Sequence, residues 1–350
     1  MLRFSLPFFF LTLVVSNFYS KDAAAFAFKT SKREHLHIVG SSTLYPFTSV
    51  IAENFGRESE FKTPIVESTG TGGGFKLFCA GAGINYPDFS NASRKIEQSE
   101  IKKCVENGIK GIVEIKIGYD GIVLANSVAG IKYNLSKKEI FLALVAEVPN
   151  KKTGQLIANP YKKWSDIDSK LPAINIAIYG PPTTSGTRDA FVELVMEKAC
   201  MEMADFVKNY PDAKIRKKKC HVIRSDGHFI EAGENDNLIV QKLKNDVQAL
   251  GIFGFSFLEE NHGVIQAAVI DDTVPSFDNI ASGAYSVSRP LFIYFKKEHL
   301  DLIKGMREFI AEIISKNTIG ADGYLLQKGL IPLTDLELKK VRDEIARSLN

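Results

Sequence analysis

Short apolar runs and helically spaced apolar positions alternate along this chain. HLHIVG (His35 to Gly40) is a brief apolar run closed by glycine and predicts a strand. The segment opened by STLYPF carries Leu44, Phe47, Val50, Ile51 and Phe55 at three- and four-residue steps, which predicts a helix with one buried face. TPIVES predicts a second strand, running into a glycine loop and then the apolar Phe75, Leu77 and Phe78. EIKIGYDGIVLAN (Glu114 to Asn126) is β-rich and nearly continuous. Ser136-x-x-Glu139 ahead of Ile140, Phe141 and Leu144 has the form of a capping box, in which serine and glutamate cap each other's backbone N–H. INIAIYG (Ile174 to Gly180) predicts a strand, followed by PPTTSGTRDAF and a helix with Phe191, Leu194, Val195 and Ala199 on one side. ALGIFGFSF and LFIYFK predict later strands, and the chain from about Leu300 onward reads as helices. Strands alternating with helices predict parallel sheets in an α/β fold.

The N-terminus stands outside this pattern. Arg3 precedes the apolar run Leu6 to Val15, and a polar break leads to Lys21, Asp22 and three alanines. A basic start, an apolar stretch too short to span a bilayer and small residues at its end predict a secretory signal over residues 1–25. Cleavage is expected after Ala25, with Ala27 the alternative, and the mature chain is expected in the periplasm. No cysteine follows the signal closely, so a lipid anchor is not expected.

At 350 residues the chain has room for two lobes, and Lys+Arg 44 against Asp+Glu 41 is too small a bias to suggest nucleic acid or a membrane surface as partner. In an oxidising compartment the four cysteines read as disulfides. Three pairings exist, of which the local staples Cys79–Cys104 and Cys200–Cys220 are the simplest. A metal site is not expected, since no CxxC occurs and the adjacent Cys220 and His221 are poor ligand spacing.

Three predicted strand-to-helix corners are rich in hydroxyls and glycine: GSSTL (Gly40 to Leu44), STGTGGG (Ser68 to Gly74) and TTSGTR (Thr183 to Arg188). Each places free backbone N–H groups and Ser or Thr hydroxyls at a helix start, where unpaired donors and a partial positive charge favour anions. One such corner is ordinary capping, whereas three in one chain point to a ligand. GTGGGFK has neither the GxxxxGK[ST] spacing of a P-loop nor GxGxxG, so no nucleotide cofactor is expected.

VGSSTLYPF, VESTGTGGGFKLFCAG, NASRKI, GYDGIVLAN, the SGTRDAF corner and GIFGFSF, in this order, resemble the phosphate-binding protein of the Pst ABC importer. The resemblance runs from about Leu36 to Leu333. It implies a two-lobe type II periplasmic-binding-protein fold closing on one inorganic phosphate, with two crossover strands near Gly121 to Asn126 and Ser288 to Phe295. Lobe 1 would comprise residues 26–120 and 291–350, and lobe 2 residues 121–290. The partners implied are phosphate and the permease and ATPase subunits of an importer, with the protein itself a monomer and no enzyme.

Carried over by position, the resemblance implies ligand donors at Ser42, Thr43 and the Leu44 N–H, at Thr71, and at Ser185, Gly186 and Thr187 with Arg188 adjacent. One branch of the family has aspartate where this chain has Ser93, and arginine where it has Pro181. NASR and GYDG match the other branch, which holds the charged pair at Arg94 and Asp120. Asp120 is the expected acceptor for the proton that distinguishes phosphate from sulfate. Two other readings compete. One keeps the fold and binds sulfate, molybdate or tungstate. The other is a secreted phosphatase with Ser185 or Thr71 as nucleophile, which needs an adjacent base that neither corner shows in sequence.

Overall fold

The computed structural model describes residues 33–201, 203–233 and 236–349, so the expected signal over residues 1–25 lies outside the described residues. The first strand, β1 (His37–Gly40), leads into helix α1 (Tyr45–Glu58), which buries Phe47, Ile51 and Phe55 on one face. Each such side chain contributes roughly 1.5–3 kcal/mol of burial. β2 (Ile65–Ser68), α2 (Thr71–Phe78), β3 (Phe89–Ala92) and α3 (Gln98–Glu106) follow, and then the sixteen-residue β4 (Ile112–Ser127). The expected capping box is formed at the helix Lys137–Leu144, where Glu139 N–H donates to Ser136 Oγ and Ser136 N–H to Glu139 Oε2.

Among the described residues, nine strands form one curled sheet. β1 pairs in parallel with β2 and β3, and a second parallel block joins Leu250–Gly254 to Ile178–Gly180 and Ile178–Gly180 to Phe229–Glu231. Between the blocks run two long antiparallel strands, β4 and Ser288–Lys296. The α/β reading holds, and the expected parallel pairing is found in the two flanking blocks. β4 changes partner midway: residues up to Gly121 face Ser288–Lys296, and Ile122 onward faces Leu250–Gly254. Ser288–Lys296 pairs on its other side with β3. A bulge between Leu291 and Phe292 falls opposite Gly118, whose φ is +155°, and bends the pair just before Asp120.

Two strand predictions need correction. In ALGIFGFSF only Leu250–Gly254 is strand, and Phe255–Glu260 is a helix started at Gly254. INIAIYG narrows to Ile178–Gly180, because Ile174 and Ile176 bond to the backbone of Trp164 and Lys162 instead of a ladder. An apolar run shows that a segment is buried, not where its ladder begins.

Both local staples are present, Cys79–Cys104 joining the end of α2 to α3 and Cys200–Cys220 joining Lys198–Met201 to Ala213–Cys220. Among the described residues, no helix is long and apolar enough to cross a membrane.

Candidate functional site

The three hydroxyl-rich corners meet, and glycine sets how closely. A Cβ at Gly74 would fall 2.5 Å from Gly40 Cα, so α2 lies directly on the end of β1. A Cβ at Gly186 would fall 3.1 Å from Thr43 Cα, so the third corner rests on the backbone of the first. Side chains at either position would push the corners apart. The glycines thus serve backbone-to-backbone contact as well as any ligand.

Hydroxyls fill the junction. Thr43 is buried and Ser42 half-buried ahead of α1, and the buried Leu44 occupies its N-cap. Thr71 opens α2, and its Oγ1 lies 3.1 Å from Ser93 Oγ while accepting from Ser93 N–H. Ser185 caps the helix Gly186–Phe191, its Oγ accepting from Thr187 N–H. Ser42 Oγ donates to Asp189 Oδ2 at 2.6 Å, a contact between the first corner and the third.

Arg289 is the cation at the junction. It lies on Ser288–Lys296 directly opposite Asp120 in the antiparallel register, and it is 8% exposed. Its Nη2 donates to Thr43 Oγ1 at 2.8 Å and its Nη1 to Glu193 Oε2 at 2.5 Å. Its Nε stands 3.6 Å from Asp120 Oδ2, an ion-pair distance too long for a hydrogen bond. Both of those atoms are buried and without a hydrogen-bond partner among the described residues, as is Ser90 Oγ beneath the glycine loop. Burial pushes the Asp120 carboxyl above its ordinary value, and the opposing pull of Arg289 does not cancel this.

The two arginines expected as ligands, Arg94 and Arg188, have protein partners of their own in this structure. Arg94 donates to both oxygens of Glu100, at 2.8 and 2.9 Å, and lies over the Phe75 ring. Glu100 also caps the N-terminus of α3 by accepting from Glu97 N–H, so it is fixed to hold Arg94. Arg188 stacks on Phe229 and donates to Pro181 O. Sequence reasoning passed over Arg289 although the signal was present. It is the only charged residue in the expected crossover segment Ser288 to Phe295, and Asp120 on the other crossover needed a partner.

Such an array can hold a tetrahedral oxyanion: neutral hydroxyl donors on several sides, the buried guanidinium of Arg289, and a buried carboxylate able to accept a proton. The Ser185 Oγ accepts from Thr187 N–H, and the Thr71 Oγ1 lies 3.1 Å from Ser93 Oγ.

Residues 27–317 match the PBP superfamily domain. The chain is 30% identical over 280 residues to "Phosphate-binding protein PstS" of Staphylococcus saprophyticus, covering 79% of this chain and 74% of that one. It is 29% identical to "Protein SphX" of Synechococcus elongatus, covering 74% of this chain and 67% of that one. Among solved structures it is similar to a possible phosphate binding protein from Planctomyces limnophilus, with a TM-score of 0.72, 27% identity, and coverage of 90% of this chain and 99% of that one. The curled α/β sheet, its two long antiparallel strands and these likenesses agree: the chain belongs to the PBP superfamily and, within it, to the PstS-type phosphate-binding proteins.

Proposed function

We propose that this protein is exported to the periplasm, captures one inorganic phosphate between two lobes as a monomer, and delivers it to the permease and ATPase subunits of an ABC importer. Lobe 1 is residues 26–120 and 291–350, lobe 2 residues 121–290. The partner change of β4 at Gly121 and Ile122 supports that boundary. The observation that carries the reading is Arg289, a buried guanidinium with an unmet Nε, set where the first and third hydroxyl corners touch. Arg289 already faces Glu193 and Asp120, but its Nε and the Asp120 Oδ2 keep unmet hydrogen-bonding capacity at the meeting of the corners, and relatives of this chain are named for binding phosphate.

The ligand set proposed is Ser42, Thr43, the Leu44 N–H, Thr71, Ser93, Ser185, Gly186 and Thr187 as neutral donors, Arg289 as cation and Asp120 as proton acceptor. Arg94 and Arg188, each holding protein partners of its own, are left out of this set. Calorimetry of phosphate-stripped protein with phosphate, sulfate and arsenate tests the reading. We expect micromolar or tighter phosphate binding, about −8 kcal/mol or better, and far weaker sulfate binding. Arg289→Ala should lose on the order of 2–4 kcal/mol and Arg94→Ala much less. The reverse order would return the cation's role to Arg94, and absence of phosphate binding would sink the function.

A further inference from the structure

The anion's proposed donors are already held by acids of the protein itself. Ser42 Oγ donates to Asp189, and Arg289 Nη1 donates to Glu193 at 2.5 Å. Asp189 and Glu193 lie four residues apart on the helical segment that the third corner opens, so they share one face and reach the first corner and the crossover strand together. Their oxygens accept hydrogen bonds as phosphate oxygens would.

Charge around Arg289 sharpens the point. Its guanidinium meets Glu193 on one side and Asp120 on the other, with Asp189 beyond Ser42. Arg94 adds little free positive charge, because Glu100 and Glu97 pair with it. Arg188 adds positive charge beside Asp189, but an anion seated at Ser42 and Arg289 would still compete with Asp189 and Glu193 for the donors they hold, so the carboxylates there must give way. Exposure makes this easiest for Glu193: the side chains of Arg289 and Asp120 are 8% and 13% exposed, that of Glu193 is 46%. Glu193 also lies in a π-helical stretch, Val192–Glu197, a geometry poorer than the α-helix and common where a helix is adapted to function.

We propose that Glu193 and Asp189 form a carboxylate latch that competes with the ligand: Asp189 ties lobe 2 to Ser42 of lobe 1, Glu193 holds Arg289 on the crossover strand, and both must let go for phosphate to seat. The inference rests on the phosphate reading above. It makes Glu193 a residue that sets affinity by occupying the site, not by touching the ligand. A latch formed nine-tenths of the time would mask the intrinsic affinity about tenfold.

Calorimetry of the full mature chain and of Glu193→Gln, Asp189→Asn and the double variant, each titrated with inorganic phosphate and with sulfate, decides it. We expect Glu193→Gln to bind phosphate roughly tenfold tighter and Asp189→Asn by a smaller factor, with sulfate tightened by the same factors, since the latch opposes any anion at those donors. Unchanged thermal unfolding shows that the variants are folded, and Glu193→Ala is the second variant should Gln perturb the helix. A parent that binds phosphate with variants that bind no tighter overturns the latch and leaves the function standing. Tightening for one anion alone also overturns it, making Glu193 a contact that reads the ligand. Sulfate bound in place of phosphate, and tightened by the variants, overturns the function and leaves the latch.

Discussion

Asp120 is held between opposing influences. Burial raises its carboxyl above the ordinary 3.8, and attraction to Arg289 pulls it down without cancelling the rise. In the proposed role it would, while ionised, accept the proton that phosphate retains, and would face a sulfate oxygen with repulsion and an unmet acceptor. Protonated, it would donate to either anion. The preference for phosphate should therefore shrink as pH falls, starting above the usual aspartate value. Competition binding at about pH 6 and 4, where phosphate keeps at least one proton, checks this. Asp120→Asn should show a narrowed preference that no longer depends on pH. A preference that stays flat in the parent would remove Asp120 from the role.

At the scale of elements, the C-terminal helix Asp335–Leu349 is fastened to the crossover strand beside the site. Glu337 accepts from Lys116 Nζ at 2.9 Å and from Tyr119 Oη at 2.6 Å, one residue before Asp120. Tyr119 also exchanges two backbone bonds with Ile331. Burial pushes the Glu337 carboxyl up, but hydrogen bonds from Tyr119 and Lys116 hold it at about 2. A folded-state value below the unfolded one gives stability that is present above the free value of 4.5 and is lost as pH falls toward 2. Glu337→Gln should cost roughly 1–2 kcal/mol near neutral pH after allowance for solvent screening. Urea unfolding should show the gap to the parent closing below about pH 4.5. A gap independent of pH would mean that the carboxylate's charge does not hold the helix.

For the whole molecule, the two staples brace separate parts of the chain. Cys79–Cys104 closes 25 residues beside β3, and Cys200–Cys220 closes 20 within the helices that follow the third corner. In the chain-entropy model each contributes roughly 3 kcal/mol by restricting the unfolded chain. Replacing Cys200 and Cys220 together by serine should lower unfolding stability by about that amount while leaving phosphate affinity nearly unchanged, because neither cysteine lies at the junction of the corners. A large loss of affinity with a small loss of stability would instead place the staple in control of the third corner.

Local signals in the chain settled a good deal. The one-faced spacing of Phe47, Ile51 and Phe55, the Ser136 and Glu139 cap and the β-rich run into Asn126 act over a few residues, where propensity and capping operate, and each forms the expected kind of element. The cysteine staples were also legible, since closing a short loop is the simplest pairing. What sequence left undecided was long-range register. Arg289 stands 169 positions from Asp120 and meets it only because two crossover strands align antiparallel. Arg94, expected at the ligand, is met in the fold by Glu100, which also caps α3. The strand end at Gly254 and the turn into Phe255–Glu260 depend on which neighbour offers a ladder. Spacing along the chain determines what each segment becomes, whereas the identity of a charge's partner depends on distances through space that only the folded sheet establishes.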